Sequence, residues 1–218
     1  MLFDMTTLPR QQRYKLLTAT VTPRPVAWVV TQSAEGVINA APHSFFNALG
    51  DDPPMVVLGL LKHHVRGDDK DTAANIKATG EFSIALVSED DAEAMNLSAV
   101  DCPRDVSEID YAGIATMPSS MIKPPLIASA PVSFECRTHQ IIEPSASQTV
   151  VLGEILAMHV RDEFVSDPAR LYVDTPAMKL IGRTHGSGWY VRNSDAFKLE
   201  RQPFDPDRAA PVAARFRT

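Results

Sequence analysis

The sequence predicts a mainly β domain with short flanking helices, and three observations carry that prediction. The run Pro25-Val26-Ala27-Trp28-Val29-Val30-Thr31 is β-branched and aromatic, stops at Ser33-Ala34-Glu35-Gly36 and resumes as Val37-Ile38-Asn39-Ala40, which is the pattern of a hairpin. Residues 55–61 are apolar almost without interruption, at a length that fits a strand buried on both faces. Residues 130–142 and 149–160 alternate apolar with polar on either side of Pro144-Ser145-Ala146-Ser147, as half-buried antiparallel strands do. Gly153 marks a bulge where a barrel would bend.

At 218 residues the chain is long enough for one sizeable core, and a single domain with its core at about 14–192 and an arm at about 193–218 is expected. A hydrophobic fraction of 44% beside a charged fraction of 22% describes an ordinary globular chain. No apolar run approaches a membrane span, and Met1-Leu2-Phe3-Asp4 lacks the basic-then-apolar order of a signal peptide, so the cytoplasm is the default expectation. A net charge of −6 argues against a nucleic-acid partner. Cys102 and Cys136 form no CxxC pair and sit in no histidine pattern, which argues against zinc. Cys136, between Glu135 and Arg137 in a strand pattern, reads as a small buried hydrophobe.

Taken in order, residues 8–17 suggest a short helix or arm, and Thr18 to Thr22 a threonine-rich edge strand. Arg24, held between two prolines, leaves from a stiff extended backbone; it would reach a phosphate or pair with Asp51 or Asp52. Ala41-Pro42-His43-Ser44-Phe45-Phe46-Asn47 then sets two large aromatics beside hydroxyl and amide groups. That mixture suits a site covering a flat aromatic ligand while hydrogen-bonding its polar rim. The loop around His63 and His64 reads as exposed, with the adjacent histidines a poor chelate. Lys70-Asp71-Thr72-Ala73-Ala74-Asn75 opens a helix that Gly80 ends, either a capped surface helix or a seat for an anion formed by Lys70, the Thr72 hydroxyl and first-turn amides. Asp71 is discordant with an anion there unless it turns back as a cap. A strand at 81–87, an acidic-capped helix from Ser88 to about Ala99 and a proline-punctuated stretch to Pro125 follow. His139 and His159 read as hydrogen-bonded strand residues. Near the end, Arg183, His185, Trp189 and Tyr190 surround three glycines that would allow close backbone approach.

The ordered set PRPVAWV, NAAPHSFFN, DDPPMVV and KDTAANI resembles the flavin reductase-like FMN-binding split-barrel family, and its flavoredoxin-like branch in particular, from about Tyr14 to Arg192. The resemblance implies a six-stranded antiparallel Greek-key split barrel, usually a homodimer, binding FMN. It implies an isoalloxazine against Ser44, Phe45, Phe46 and Asn47, with the phosphate at Lys70 and Thr72 and with Arg24 or Arg183 assisting. It implies two functions: an NAD(P)H:flavin oxidoreductase feeding a partner monooxygenase or other acceptor, or a flavoredoxin-like FMN electron carrier with little NAD(P)H turnover. His185 is the candidate for contacting the nicotinamide or a second flavin at the open face.

Overall fold

The structure is a computed structural model that describes residues 1–63 and 67–204. Helix α1 (Arg10–Thr20) leads into β1 (Arg24–Pro25) and the hairpin of β2 (Ala27–Gln32) and β3 (Ile38–His43). A second hairpin, β4 (Phe46–Asp51) and β5 (Pro54–Leu61), precedes α2 (Asp71–Thr79), β6 (Glu81–Leu86), α3 (Ala92–Leu97) and α4 (Glu108–Ala112). After a short pair, β7 (Thr116–Met117) and β8 (Leu126–Ile127), come the long strands β9 (Val132–Ser145) and β10 (Gln148–Val160). The chain then makes β11 (Val165–Asp167), β12 (Tyr172–Val173), β13 (Ile181–Arg183) and β14 (Tyr190–Arg192).

Seven strands form the main sheet in the order β3-β2-β6-β9-β10-β5-β4, all antiparallel, one more than the six expected because residues 46–51 pair along β5. Strands β3 and β4 occupy opposite ends of that order, yet only Ser44 and Phe45 join them. A flat seven-stranded sheet would hold its edges roughly 28 Å apart, whereas such a link reaches about 10 Å. The sheet must therefore roll until its edges meet. They meet where β3 comes against β5, while the Gly59 backbone N–H, donating to the Phe45 carbonyl at 2.7 Å, carries the β4–β5 ladder one residue into the link. This seam makes the fold a split barrel.

Rolling explains why β2 is apolar on both faces. Ala27 and Val29 join Phe82, Ile84, Val56 and Leu58 inside the barrel. Trp28 and Val30 face outward, where they pack with Met95, Ile109 and Ile127 from the elements that cover the sheet. Trp28 is fully buried and its Nε1–H donates to Ser98 Oγ at 2.9 Å, so the indole is covered without an orphaned donor. The three-stranded ribbon β1-β13-β14 lies beside this outer layer, and Ile181 belongs to the same cluster. Gly182 is required there: a Cβ would stand 3.0 Å from Pro23 Cβ and 3.2 Å from the Arg24 carbonyl oxygen.

Two sequence expectations change. Thr18 to Thr22 do not make an edge strand; Thr18 and Thr20 close α1, with their hydroxyls donating back to the Tyr14 and Leu16 carbonyls. Residues 55–61 do form a strand, but it is sealed on one face only: Val56, Leu58 and Leu60 are buried, while Gly59 and Leu61 are half-exposed. Their face becomes part of the site below. His64, Arg66 and the arm beyond residue 204 lie outside the described residues.

The bulge at Gly153 has a steric cause. The β9–β10 register shifts between Leu152 and Gly153, and a Cβ at Gly153 would fall 2.5 Å from Cζ of the fully buried Phe82. Gly153→Ala should therefore lower the unfolding free energy by about 1–3 kcal/mol through overpacking. Urea denaturation checks this, and a midpoint equal to that of the unmodified protein would refute the packing assignment.

Candidate functional site

The seam encloses a cavity of about 430 Å³. Its walls come from α1 (Arg10, Tyr14), the end of β3 (His43), the β3–β4 link (Ser44, Phe45), β5 (Gly59, Leu61) and the head of α2 (Lys70, Asp71, Thr72), together with Asp101 and with Arg183 and Tyr190 of the ribbon. Glycine at 59 keeps the wall thin, since a Cβ there would approach Phe45 Cβ to 3.0 Å. Phe45 stands edge-on to Tyr14, their ring centroids 5.9 Å apart, and this pair holds α1 over the cavity.

Of the residues expected to bind the cofactor, Ser44, Phe45, Lys70, Thr72 and Arg183 line this one space. Three others do not. Phe46 turns into the barrel core because neighbouring residues at a strand start point to opposite faces. Asn47 is exposed on β4, its Oδ1 accepting the Ala48 N–H at 2.9 Å. Arg24 is 5% exposed and meets neither a ligand cavity nor Asp51 and Asp52. Its Nη1 donates to the Thr18 and Val21 carbonyls at 2.8 and 2.6 Å, and its Nε to Ser44 Oγ at 3.3 Å, so it ties the end of α1 to the seam. Burial lowers its pKa, with Arg183 adding to the effect and Tyr14 opposing it. His185 also stands outside the cavity wall, exposed at φ 50° on the β13–β14 turn and packed edge-on against Trp189.

Cations and acids are interleaved at the cavity. Lys70, 41% exposed, has its Nζ 3.0 Å from Asp101 Oδ1. The Asp71 carboxylate does not turn back as a cap but lies 3.3 Å from Arg104 Nε, which takes up its charge at the head of α2. Arg183 donates from Nη1 to the Tyr190 hydroxyl at 2.7 Å and sits 4.8 Å from that ring's centroid. Arg10 and Arg183 have no carboxylate partner among the described residues. Cys102 also lines the cavity; burial and then Glu108, Asp71 and Asp101 push its thiol pKa up, so it stays protonated. No cluster of metal-binding side chains occurs among the described residues.

Beneath this rim lies a polar network that the local sequence pattern does not reveal. Glu108, 4% exposed, accepts the Asn39 Nδ2–H at 2.9 Å and the Ala40 backbone N–H at 3.3 Å through Oε2. Asn39 Oδ1 accepts from Thr72 Oγ1 at 3.0 Å and from Thr31 Oγ1 at 3.3 Å, and Asn75 Nδ2 donates to Thr31 Oγ1 at 3.0 Å. Thr72 Oγ1 is 3.3 Å from His43 Nε2. Glu108 comes from α4, 69 residues after Asn39, so only the fold joins them. Burial raises its pKa against the opposing hydrogen bonds. A separate buried carboxylate, Glu135, lies outside the cavity wall; burial would raise its pKa, but the Ser120 and Met121 N–H groups and His159 lower it overall. His159 is thus the hydrogen-bonded strand histidine expected, while His139 is exposed.

Burial, and then the nearby Lys70 charge, depress the His43 pKa from 6.5 to about 4. The unfolded chain takes up this proton first as pH falls, so stability is complete above pH 6.5 and declines as pH drops toward 4. With water reaching the ring through the cavity, the loss due to His43 should be about 2 kcal/mol. His43→Asn should flatten that part of the stability curve, measured by urea denaturation across the interval. An unchanged slope would refute the buried neutral imidazole.

The family model of the flavin reductase like domain matches residues 19–178. An uncharacterised protein of Deinococcus radiodurans is 42% identical over 203 residues, which cover 91% of this chain and 88% of that protein. Among solved structures, the 2-nitrobenzoate 2-nitroreductase NbaA of Pseudomonas fluorescens is similar at 36% identity and a TM-score of 0.85, over 95% of this chain and 100% of that one. Nitrilotriacetate monooxygenase component B of Bacillus cereus is similar at 28% identity and a TM-score of 0.83, over 91% and 98%.

Proposed function

This chain belongs to the flavin reductase-like family, and from that premise we propose that it binds FMN in the seam cavity and acts as an NAD(P)H:flavin oxidoreductase, a cytoplasmic homodimer. The cavity carries this reading. About 430 Å³ of space, with the Phe45 and Tyr14 rings on one side and Lys70, Arg10 and Arg183 around it, suits a flat heteroaromatic ring with an anionic tail.

The residues present fit FMN. Phe45 offers apolar ring surface, and Ser44, whose Oγ already accepts from Arg24 Nε, keeps its own proton for a ligand acceptor. Lys70 at the head of α2, with that helix's first-turn amides, suits the phosphate, and Arg104 offsets the Asp71 carboxylate that would otherwise repel it. Arg183 is braced by Tyr190 as a second cation. Bound FMN supplies the hydride-accepting chemistry opposite a nicotinamide. The protein's own part is to hold and orient the two and to keep cations and N–H donors where negative charge accumulates. A partner monooxygenase as electron acceptor is supported by the likeness to nitrilotriacetate monooxygenase component B. No described helix is long and apolar enough to cross a membrane.

FMN-loaded protein mixed anaerobically with NADH or NADPH in a stopped-flow instrument should lose its flavin absorbance on the timescale of turnover. Bleaching far slower than that, with fast reduction by a protein donor, would favour the flavoredoxin-like carrier instead. Lys70→Ala should weaken FMN binding by about 1 kcal/mol, roughly fivefold, at the low end for a charge-assisted contact because the lysine is partly exposed. Fluorescence titration gives the Kd; equal values for the two proteins would remove Lys70 from the phosphate site.

A further inference from the structure

The polar network under the cavity has a direction. The Ala40 backbone N–H can only donate to Glu108 Oε2, and with no proton on that oxygen the Asn39 amide facing it is its NH₂, which is how the structure places it. That orients Asn39 with Oδ1 toward Thr72 and Thr31, whose hydroxyls both donate to it. Thr72 has one proton and has given it to Asn39. Its oxygen therefore faces His43 as an acceptor, and His43 Nε2 must carry the hydrogen across the 3.3 Å contact. Neutral imidazole has a single N–H, so Nδ1 is left as a bare lone pair.

Nδ1 makes no hydrogen bond among the described residues, and it is not among the buried side-chain atoms left without a partner. It therefore opens to solvent, on a residue that lines the cavity. Lys70, whose charge acts on His43, has its ammonium on Asp101.

We propose that His43 is a fixed hydrogen-bond acceptor in this cavity, locked as the Nε2–H tautomer through Thr72, Asn39 and Glu108, and that it selects ligands placing an N–H or O–H donor against Nδ1. His43 is thus a specificity-determining contact, and Thr72, Asn39 and Glu108 are positioning residues that act through it. A ligand presenting a carbonyl or phosphate oxygen at that point meets lone pair against lone pair and is rejected. On a flavin the matching groups are its ring imide N–H and its ribityl hydroxyls. The inference rests on the flavin reading only in the choice of that probe.

Nitrogen-15 NMR of histidine-labelled protein tests it in two stages. Without ligand, at neutral pH, His43 should show a protonated Nε2 and an unprotonated Nδ1; an Nδ1–H tautomer or an imidazolium would overturn the lock whether or not the protein binds flavin. On adding FMN, the Nδ1 resonance should move in the sense of hydrogen-bond acceptance with the tautomer unchanged; an unmoved Nδ1 in protein that binds FMN would overturn the contact. Thr72→Val places a methyl against Nε2–H, and the proton should shift to Nδ1. Affinity for FMN and for riboflavin should then fall by the same factor, about tenfold, while Thr72→Ser stays within about twofold of the unmodified protein. Loss confined to FMN would mean that Thr72 serves the phosphate alone, and it would defeat the proposal.

Discussion

The barrel depends on a two-residue span. Ser44 and Phe45 connect strands at opposite ends of a seven-stranded order, and a link that short obliges the sheet to curl until those ends touch. Closure brings β3 against β5 and opens a space between the two hairpins, bounded by the link and by the second face of β5. The same curl takes β2 into the middle of the protein, which is why its residues are buried on both sides. The cavity is therefore a consequence of how the barrel closes, and α1, α2 and the β13–β14 ribbon are arranged around its mouth.

What the cavity presents follows from how its polar groups are paired. Arg24 is spent on carbonyls at the end of α1 and on Ser44, and so sets the link. Arg104 occupies Asp71, and Asp101 holds Lys70 at the rim. Glu108 would be costly in so buried a position without the Asn39 and Ala40 donors, and those donors in turn orient Asn39, Thr72 and His43. Ser44 and His43 thus inherit their orientation from buried groups, while Lys70 and Asp71 are held by partners at the rim.

Much of this was legible in the chain. The β2–β3 hairpin, the α2 stop at Gly80 with φ 73° and the irregularity at Gly153 follow from local chemistry alone, and each stands where that chemistry puts it. The threonines at the end of α1 misled because their β preference competes with hydroxyl bonding to the preceding turn, and in a helix already begun the latter prevails. Phe45 and Phe46 looked like one aromatic patch, although adjacent residues entering a strand must diverge; one faces the cavity and the other the core. Arg10, Tyr14 and Glu108 left no local signal. A glutamate in an irregular, proline-rich stretch acquires meaning only when the fold brings it against an asparagine from a distant strand.

A crystal structure of the protein with FMN tests the central claim most directly. The isoalloxazine should lie in the seam against Phe45 and Ser44, with the phosphate at Lys70 and the head of α2. Density for the flavin on any other face of the protein, with the seam cavity filled by solvent, would contradict the account.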